Sequence, residues 1–290
     1  MKAIFLFFLL FTFCHLAFSQ KQKHPLVVAT YALDQHNRLE NLQPLARHLE
    51  QTLHRPVQAV SYPTIPALLT AIRAQEIDVA LVNTYGFLLL SHDAVPAVQS
   101  LVTLETPPGQ KNYQACLFAS RLSGIQRLEE LKNRPGPTSI LLAGEHSTSG
   151  NHLQRQFLRQ NGFGPLEEVF EEVQYTQSHA QVVQQVKSGL AEVGACGLDE
   201  LLHQLQNWQV HPEDITLLWT SGQIPLGPVV VKASLPAELR QQLQASLTQL
   251  HVQNSAAFRT LLQGWPEARG ASRFQPFSTA HAQDLAGLLR

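Results

Sequence analysis

From Pro25 onward, apolar runs of strand length alternate with segments whose leucines recur at helical spacing. This alternation constrains the fold more than any other feature of the chain. "PLVVATYA" (25–32) is a buried strand, and "NLQPLARHLEQTLH" (41–54) places Leu42, Leu45, Leu49 and Leu53 on one helical face. "PVQAVSY" reads as strand, "TIPALLTAIRAQ" as helix with Pro66 in its first turn, "DVALVN" as strand, and "TYGFLLLSH" as a helix start. Strand–helix–strand units of this length close as parallel crossovers. The pattern therefore predicts an α/β fold with mostly parallel sheets flanked by helices.

The rhythm stops at "LETPPGQKNY" (104–113), where two prolines and a glycine predict a linker. Beyond it, "YQACLFAS", "TSILLA", part of "EEVFEEVQYT" and "EVGACGL" read as strands. Between them "IQRLEELKN", the segment from Gly144 to Leu158 and "HAQVVQQVKSG" read as helical. "DITLLWTS" and "LGPVVVK" add strands around a second crossing, and the chain is mostly helical from Pro236. Two passages, "AIRAQEIDVALVNTYGFLLL" and "QVKSGLAEVGACGLDELL", share one order: helix end, turn, acid, strand, helix start. That order fits two lobes of one plan, residues 20–112 with 225–290 and residues 113–224. Open α/β sheets bind ligands beyond the carboxyl ends of their strands, so the cleft between the lobes is the expected site.

The opening "MKAIFLFFLLFTFCHLAFSQ" sets Lys2 before an apolar run and Ala17-Phe18-Ser19 at cleavage spacing, which predicts a secretory signal peptide over residues 1–19. A lipoprotein anchored at Cys14 is the rival, disfavoured by the bulky Phe11-Thr12-Phe13 before it. No later run is apolar enough to span a bilayer. The exported chain is therefore expected to be a soluble periplasmic monomer. A net charge of −1 argues against nucleic acid and anionic lipid as partners. The 13 histidines are scattered, with no HExxH and no Cys/His cluster, so neither a metal nor a cofactor is expected. Cys116 and Cys196 are read as either a disulfide or two buried thiols.

"ILLAGEHSTSG" (140–150) runs strand, turn, helix, and stacks Ser147, Thr148 and Ser149 at the helix start. One hydroxyl suffices for a cap. The first turn also carries N–H groups without helical partners, and Gly150 lets a ligand approach the backbone. From the residues alone, the cluster is either an over-supplied cap or an anion site. No lysine or arginine lies in "STSGN", so an anion held there would meet neutral donors. A Walker A loop is absent.

These segments, in order, resemble the periplasmic phosphate/phosphite/phosphonate-binding proteins of ABC importers, the PhnD-like family. The resemblance rests on "SYPTIPALLTAI", "DVALVNTYGFLL", "KNYQACLFAS", "STSG", "SHAQVVQQVKSGLAEVGACGLDEL" and "SGQIPLGPVVV". It implies a two-lobed type II periplasmic-binding-protein fold that closes on a small phosphorus oxyanion and presents it to an ABC permease. It further implies that Ser147, Thr148 and Ser149 bind the phosphonate oxygens and that His179 donates to the same group. Tyr62 and Tyr113 would close the cleft, and Asp199 would be the pocket acid, with Glu200 as its substitute. Tyr85 is a further candidate for the cleft, and Glu192 stands where the family usually has aspartate. Two other functions remain open: a ligand-sensing accessory protein for a membrane sensor kinase, and a serine hydrolase using Ser147 or Ser149 with His179 and Asp199. The second lacks a GxSxG elbow.

Overall fold

The computed structural model describes residues 24–32, 37–107, 113–132, 138–176 and 178–288. The expected leader, Cys14 included, lies outside the described residues. The chain begins β1 (Leu26–Tyr31), α1 (Leu39–Leu53), β2 (Val57–Tyr62), α2 (Ile65–Arg73), β3 (Val79–Leu81), α3 (Thr84–Ser91) and β4 (Val98–Glu105). It crosses to β5 (Ala115–Ser120) and β6 (Ser139–Leu142), then α4 (Leu153–Gln160), α5 (Leu166–Val169), β7 (Glu172–Tyr175), α6 (His179–Lys187), β8 (Val193–Gly197), α7 (Leu198–Gln206) and β9 (Ile215–Thr220). It returns as β10 (Val229–Lys232), α8 (Ala237–Gln253), α9 (Ser255–Gln263), β11 (Arg273–Pro276) and α10 (Thr279–Gly287).

Two sheets result, ordered β11-β4-β10-β3-β1-β2 and β7-β6-β8-β5-β9. Helices flank both, as the two-lobed α/β expectation required. Four strands of each sheet share one direction, and the others are set antiparallel among them. Parallel pairing is limited to β1 with β2 and β3, and to β6 with β7 and β8. β10 and β11 in the first sheet and β5 in the second run against their neighbours. The physical reason is the connectivity. β5 and β10 carry the chain into each lobe from the cleft end, opposite to the direction of the crossover units.

Alternate residues of β5 serve two cores. Cys116 and Phe118 pack with Val182, Val183 and Val186 of α6, while Leu117 and Ala119 pack with Leu158 and Phe170 on the other face. In the first lobe, the leucine stripe of α1 meets Leu243, Leu247 and Leu250 of α8. Cys116 and Cys196 are register partners in β5 and β8 and are free thiols, with their sulfurs 3.6 Å apart. "IQRLEELKN" yields only a short 3-10 turn, Leu128–Lys132, in place of the expected helix.

The two crossings lie side by side. Ile224 N–H donates to the Tyr113 carbonyl at 2.8 Å and Ser221 N–H to that of Ala115 at 2.9 Å. Gly227 is packed so tightly on β3's exit that a Cβ there would sit 2.3 Å from the Val82 carbonyl oxygen. The lobes also touch directly: Asn83 Nδ2 donates to the His146 carbonyl at 3.1 Å, and Tyr85 N–H to Thr148 Oγ1 at 3.0 Å.

Candidate functional site

A cleft of about 560 Å³ opens between the lobes. It lies beyond the carboxyl ends of β1, β6, β7 and β8, where open α/β sheets form ligand sites.

Its floor is the hydroxyl cluster. After β6, Gly144 turns the chain with φ +90, a conformation that suits glycine. Ser147 then caps the next turn, its Oγ accepting from Gly150 N–H at 3.0 Å. The turn is wider than the expected α-helical start. His152 N–H bonds back to the Ser147 carbonyl at 3.0 Å, five residues away, before α4 takes over. Thr148 and Ser149 precede that first bond, so their N–H groups have no intrahelical acceptor. Gly150 is obligatory here, because a Cβ would meet the Ala143 Cβ at 2.6 Å. Gln154 Nε2 ties the Ser149 carbonyl (2.7 Å) to that of Cys116 (2.9 Å), which fixes the cradle to β5.

Three more groups converge on this floor. Tyr113, 7% exposed, places its hydroxyl against those of Thr148 and Ser149. Burial above all, then the charge of Glu267, keeps that phenol protonated and able to donate. His179 begins α6 behind the cap Ser178. Its Nδ1 accepts from Gly197 N–H at 2.8 Å, and burial lowers its pKa to about 4. The ring is therefore neutral at pH 7 with its proton on Nε2, a second uncharged donor. Around Gly197, a hypothetical Cβ would lie 2.6 Å from Asp199 Oδ1, 3.4 Å from Ser149 Oγ and 3.6 Å from His179 Nδ1. These distances measure how closely the three side chains gather.

Asp199 opens α7. Burial, then the charge of Glu267, pushes its carboxyl up to about 6, against opposing bonds from its own and Glu200's N–H. Glu267 reaches the cleft from the other lobe. Its Oε1 is 3.8 Å from Arg38 Nη2, and Arg38 is wholly buried between the rings of Tyr31 and Trp265, 4.6 Å from each centroid. Glu200 lines the cleft as well. The site therefore sets one carboxylate, Asp199, beside the donors and adds Glu200 and Glu267 to the same cleft.

Tyr113, Ser147, Thr148, Ser149, His179 and Asp199 all line this cleft. Tyr62 does not. It packs on the cluster of Tyr31, Leu68 and Leu69, and its register partner Tyr31 on β1 occupies the cleft wall instead. β2 is the edge strand, one position too far from the crossing. Tyr85 is also absent from the lining. Its ring centroid lies 4.5 Å from that of His152, the planes tilted by 30°, within the contact between lobes. The sequence reasoning missed Tyr31, Glu267 and Tyr175. No local motif marks them, because each is brought in by the fold. The hydrolase reading fails on geometry: His179 Nδ1, which a triad acid must hold, is occupied by Gly197 N–H. Among the described residues, no group of three or more His, Cys, Asp or Glu is placed to hold a metal.

The family model for the periplasmic phosphonate substrate-binding proteins of ABC transporters matches residues 28–282. Solved structures share the fold. A binding protein component of an ABC phosphonate transporter from Pseudomonas aeruginosa superposes with TM-score 0.70 at 15% identity, covering 91% of this chain and 85% of its own. PhnD1 from Prochlorococcus marinus, in complex with methylphosphonate, gives 0.68 at 16% identity, covering 90% and 96%. A Xanthomonas citri protein bound to ATP gives 0.71 at 18% identity, covering 91% and 94%.

Proposed function

The chain belongs to the family of periplasmic phosphonate substrate-binding proteins of ABC transporters, and from that premise we propose that its cleft takes a phosphonate bearing a cationic substituent. The family serves transport by binding and is not a family of enzymes. The donors of Ser147, Thr148, Ser149, Tyr113 and His179 converge on one tetrahedral oxyanion, and none of them adds a positive charge. The ligand's compensating charge comes from the ligand itself: an ammonium set against Asp199, Glu267 and Glu200. The observation that carries this reading is that three carboxylates, Asp199, Glu200 and Glu267, line the same cleft as the neutral donors; burial and then the Glu267 charge raise the Asp199 carboxyl, in keeping with it. Carboxylates gathered in one cleft repel unless a cation or a proton lies between them. The loaded protein, a monomer, then closes and delivers its ligand to the membrane permease.

The test is calorimetry with phosphate, phosphite, methylphosphonate and 2-aminoethylphosphonate. The aminoalkyl ligand should bind tightest, with proton release near pH 6 as its ammonium drives Asp199 to ionise. A preference for inorganic phosphate, or no heat with any of the four, rejects the proposal.

The cradle makes its own prediction. Ser147→Ala or Thr148→Ala should weaken phosphonate binding by about 1–3 kcal/mol, the worth of a hydrogen bond to a charged group. Unchanged affinity in both variants would place the oxyanion elsewhere. Thr148→Ser keeps the donor and the acceptor for Tyr85 N–H, so it should retain most of the affinity.

A further inference from the structure

The cleft lining extends beyond the hydroxyl cradle that forms its floor.

The walls above the cradle are largely apolar. Pro63 contributes from the turn between β2 and α2, Ile65 and Pro66 from the first turn of α2, Pro266 from beside Glu267, and Tyr175 from the end of β7. Tyr175 is 43% exposed, yet its position is fixed. Its hydroxyl accepts from Arg155 Nη2 at 2.7 Å. Arg155 is itself held by both carboxylate oxygens of Glu167, at 2.8 and 3.1 Å, and by Asn151 Oδ1 at 2.7 Å. Asn151 belongs to the same turn as Thr148 and Ser149, so the ring is rigidly referenced to the anion cradle. An exposed aromatic held in place at the mouth of a cleft is a preorganised packing surface. A ligand that covers it need not immobilise it first.

We infer that the natural ligand is an organophosphonate whose substituent is about the size of an aromatic ring, seated against Tyr175 and the Pro63–Pro66 turn. This inference rests on the phosphonate reading of the cradle and adds the substituent class. Tyr175 becomes a specificity-determining residue that leaves the phosphonate itself untouched.

Calorimetry with methylphosphonate and benzylphosphonate tests it, since the two differ in bulk and not in charge. The native protein should bind benzylphosphonate at least tenfold more tightly. Tyr175→Ala should reduce that ratio to below threefold, and Tyr175→Phe, which keeps the ring, should preserve most of it. Equal or weaker binding of benzylphosphonate by the native protein overturns the inference alone. So does a ratio that survives Tyr175→Ala. Binding of neither ligand overturns it, and failure of 2-aminoethylphosphonate as well overturns the phosphonate reading with it.

Discussion

Gly197→Ala should leave the protein folded and weaken phosphonate binding at least 100-fold, about 2.7 kcal/mol. Gly197 has φ −66 and ψ 134, a backbone conformation that alanine adopts without strain. The obstruction is side chain, not backbone: the new Cβ would sit 2.6 Å from Asp199 Oδ1 and 3.4 Å from Ser149 Oγ. Asp199 is the mobile end of a side chain and can swing aside, so folding survives. The atoms that yield are those of the site, however, and the methyl group then stands where Ser149, His179 and Asp199 meet. Calorimetric titration and a thermal melt of the variant separate the two effects. A normal melt with native affinity would show that the ligand does not approach Gly197.

Asp199→Asn should do the reverse of an ordinary active-site lesion: stabilise the empty protein and impair the loaded one. The sign follows from linkage. Asp199 titrates at about 6 when folded against an ordinary 3.8, so the native state holds the proton more tightly between those values. Stability contributed by this group falls as pH rises through that window, and the cost is fully present above about 6. Removing the charge at pH 7.5 should recover about 1–2 kcal/mol after allowance for its partial solvation, or roughly 2–6 °C in Tm. His179 acts oppositely: its folded value of about 4 lies below the ordinary 6.5, so its contribution rises with pH between them. The two slopes oppose each other in the native protein between about 4 and 6. In D199N only the rise remains, so its Tm should climb more steeply with pH over that range. Affinity for 2-aminoethylphosphonate should drop by about 1.5–3 kcal/mol, the scale of a lost charged hydrogen bond. Lower Tm at pH 7.5, or an unaltered pH profile, would contradict the elevation of Asp199 by burial and by the Glu267 charge.

The periodic part of the fold was legible because its cause is local. Leu42, Leu45, Leu49 and Leu53 repeat at helical spacing, and all four are buried along α1. β4 and β11 were not anticipated. They pair only with strands remote in sequence, and β11 is four residues long inside a region that otherwise reads as helix. The site divides in the same way. "STSG" announces itself because a cap and an oxyanion cradle both need hydroxyls at a helix start. Tyr31 and Tyr62 end neighbouring strands as register partners, and only the order of strands across the sheet decides which reaches the cleft. Glu267 sits 68 residues beyond Asp199 in the chain, and no periodicity connects the two.

No lysine or arginine is among the described residues that line the cleft. Binding sites for anions usually draw their ligands in by long-range attraction that salt screens away. Here Asp199, Glu200 and Glu267 line the cleft and the buried Arg38 offsets only Glu267, so a plain dianion meets a net negative lining. Ionic strength should therefore act in an unusual direction: added salt speeds the capture of inorganic phosphate, while a zwitterion, with no net field to climb, is nearly indifferent. Under the proposed reading, discrimination against inorganic phosphate weakens as salt rises.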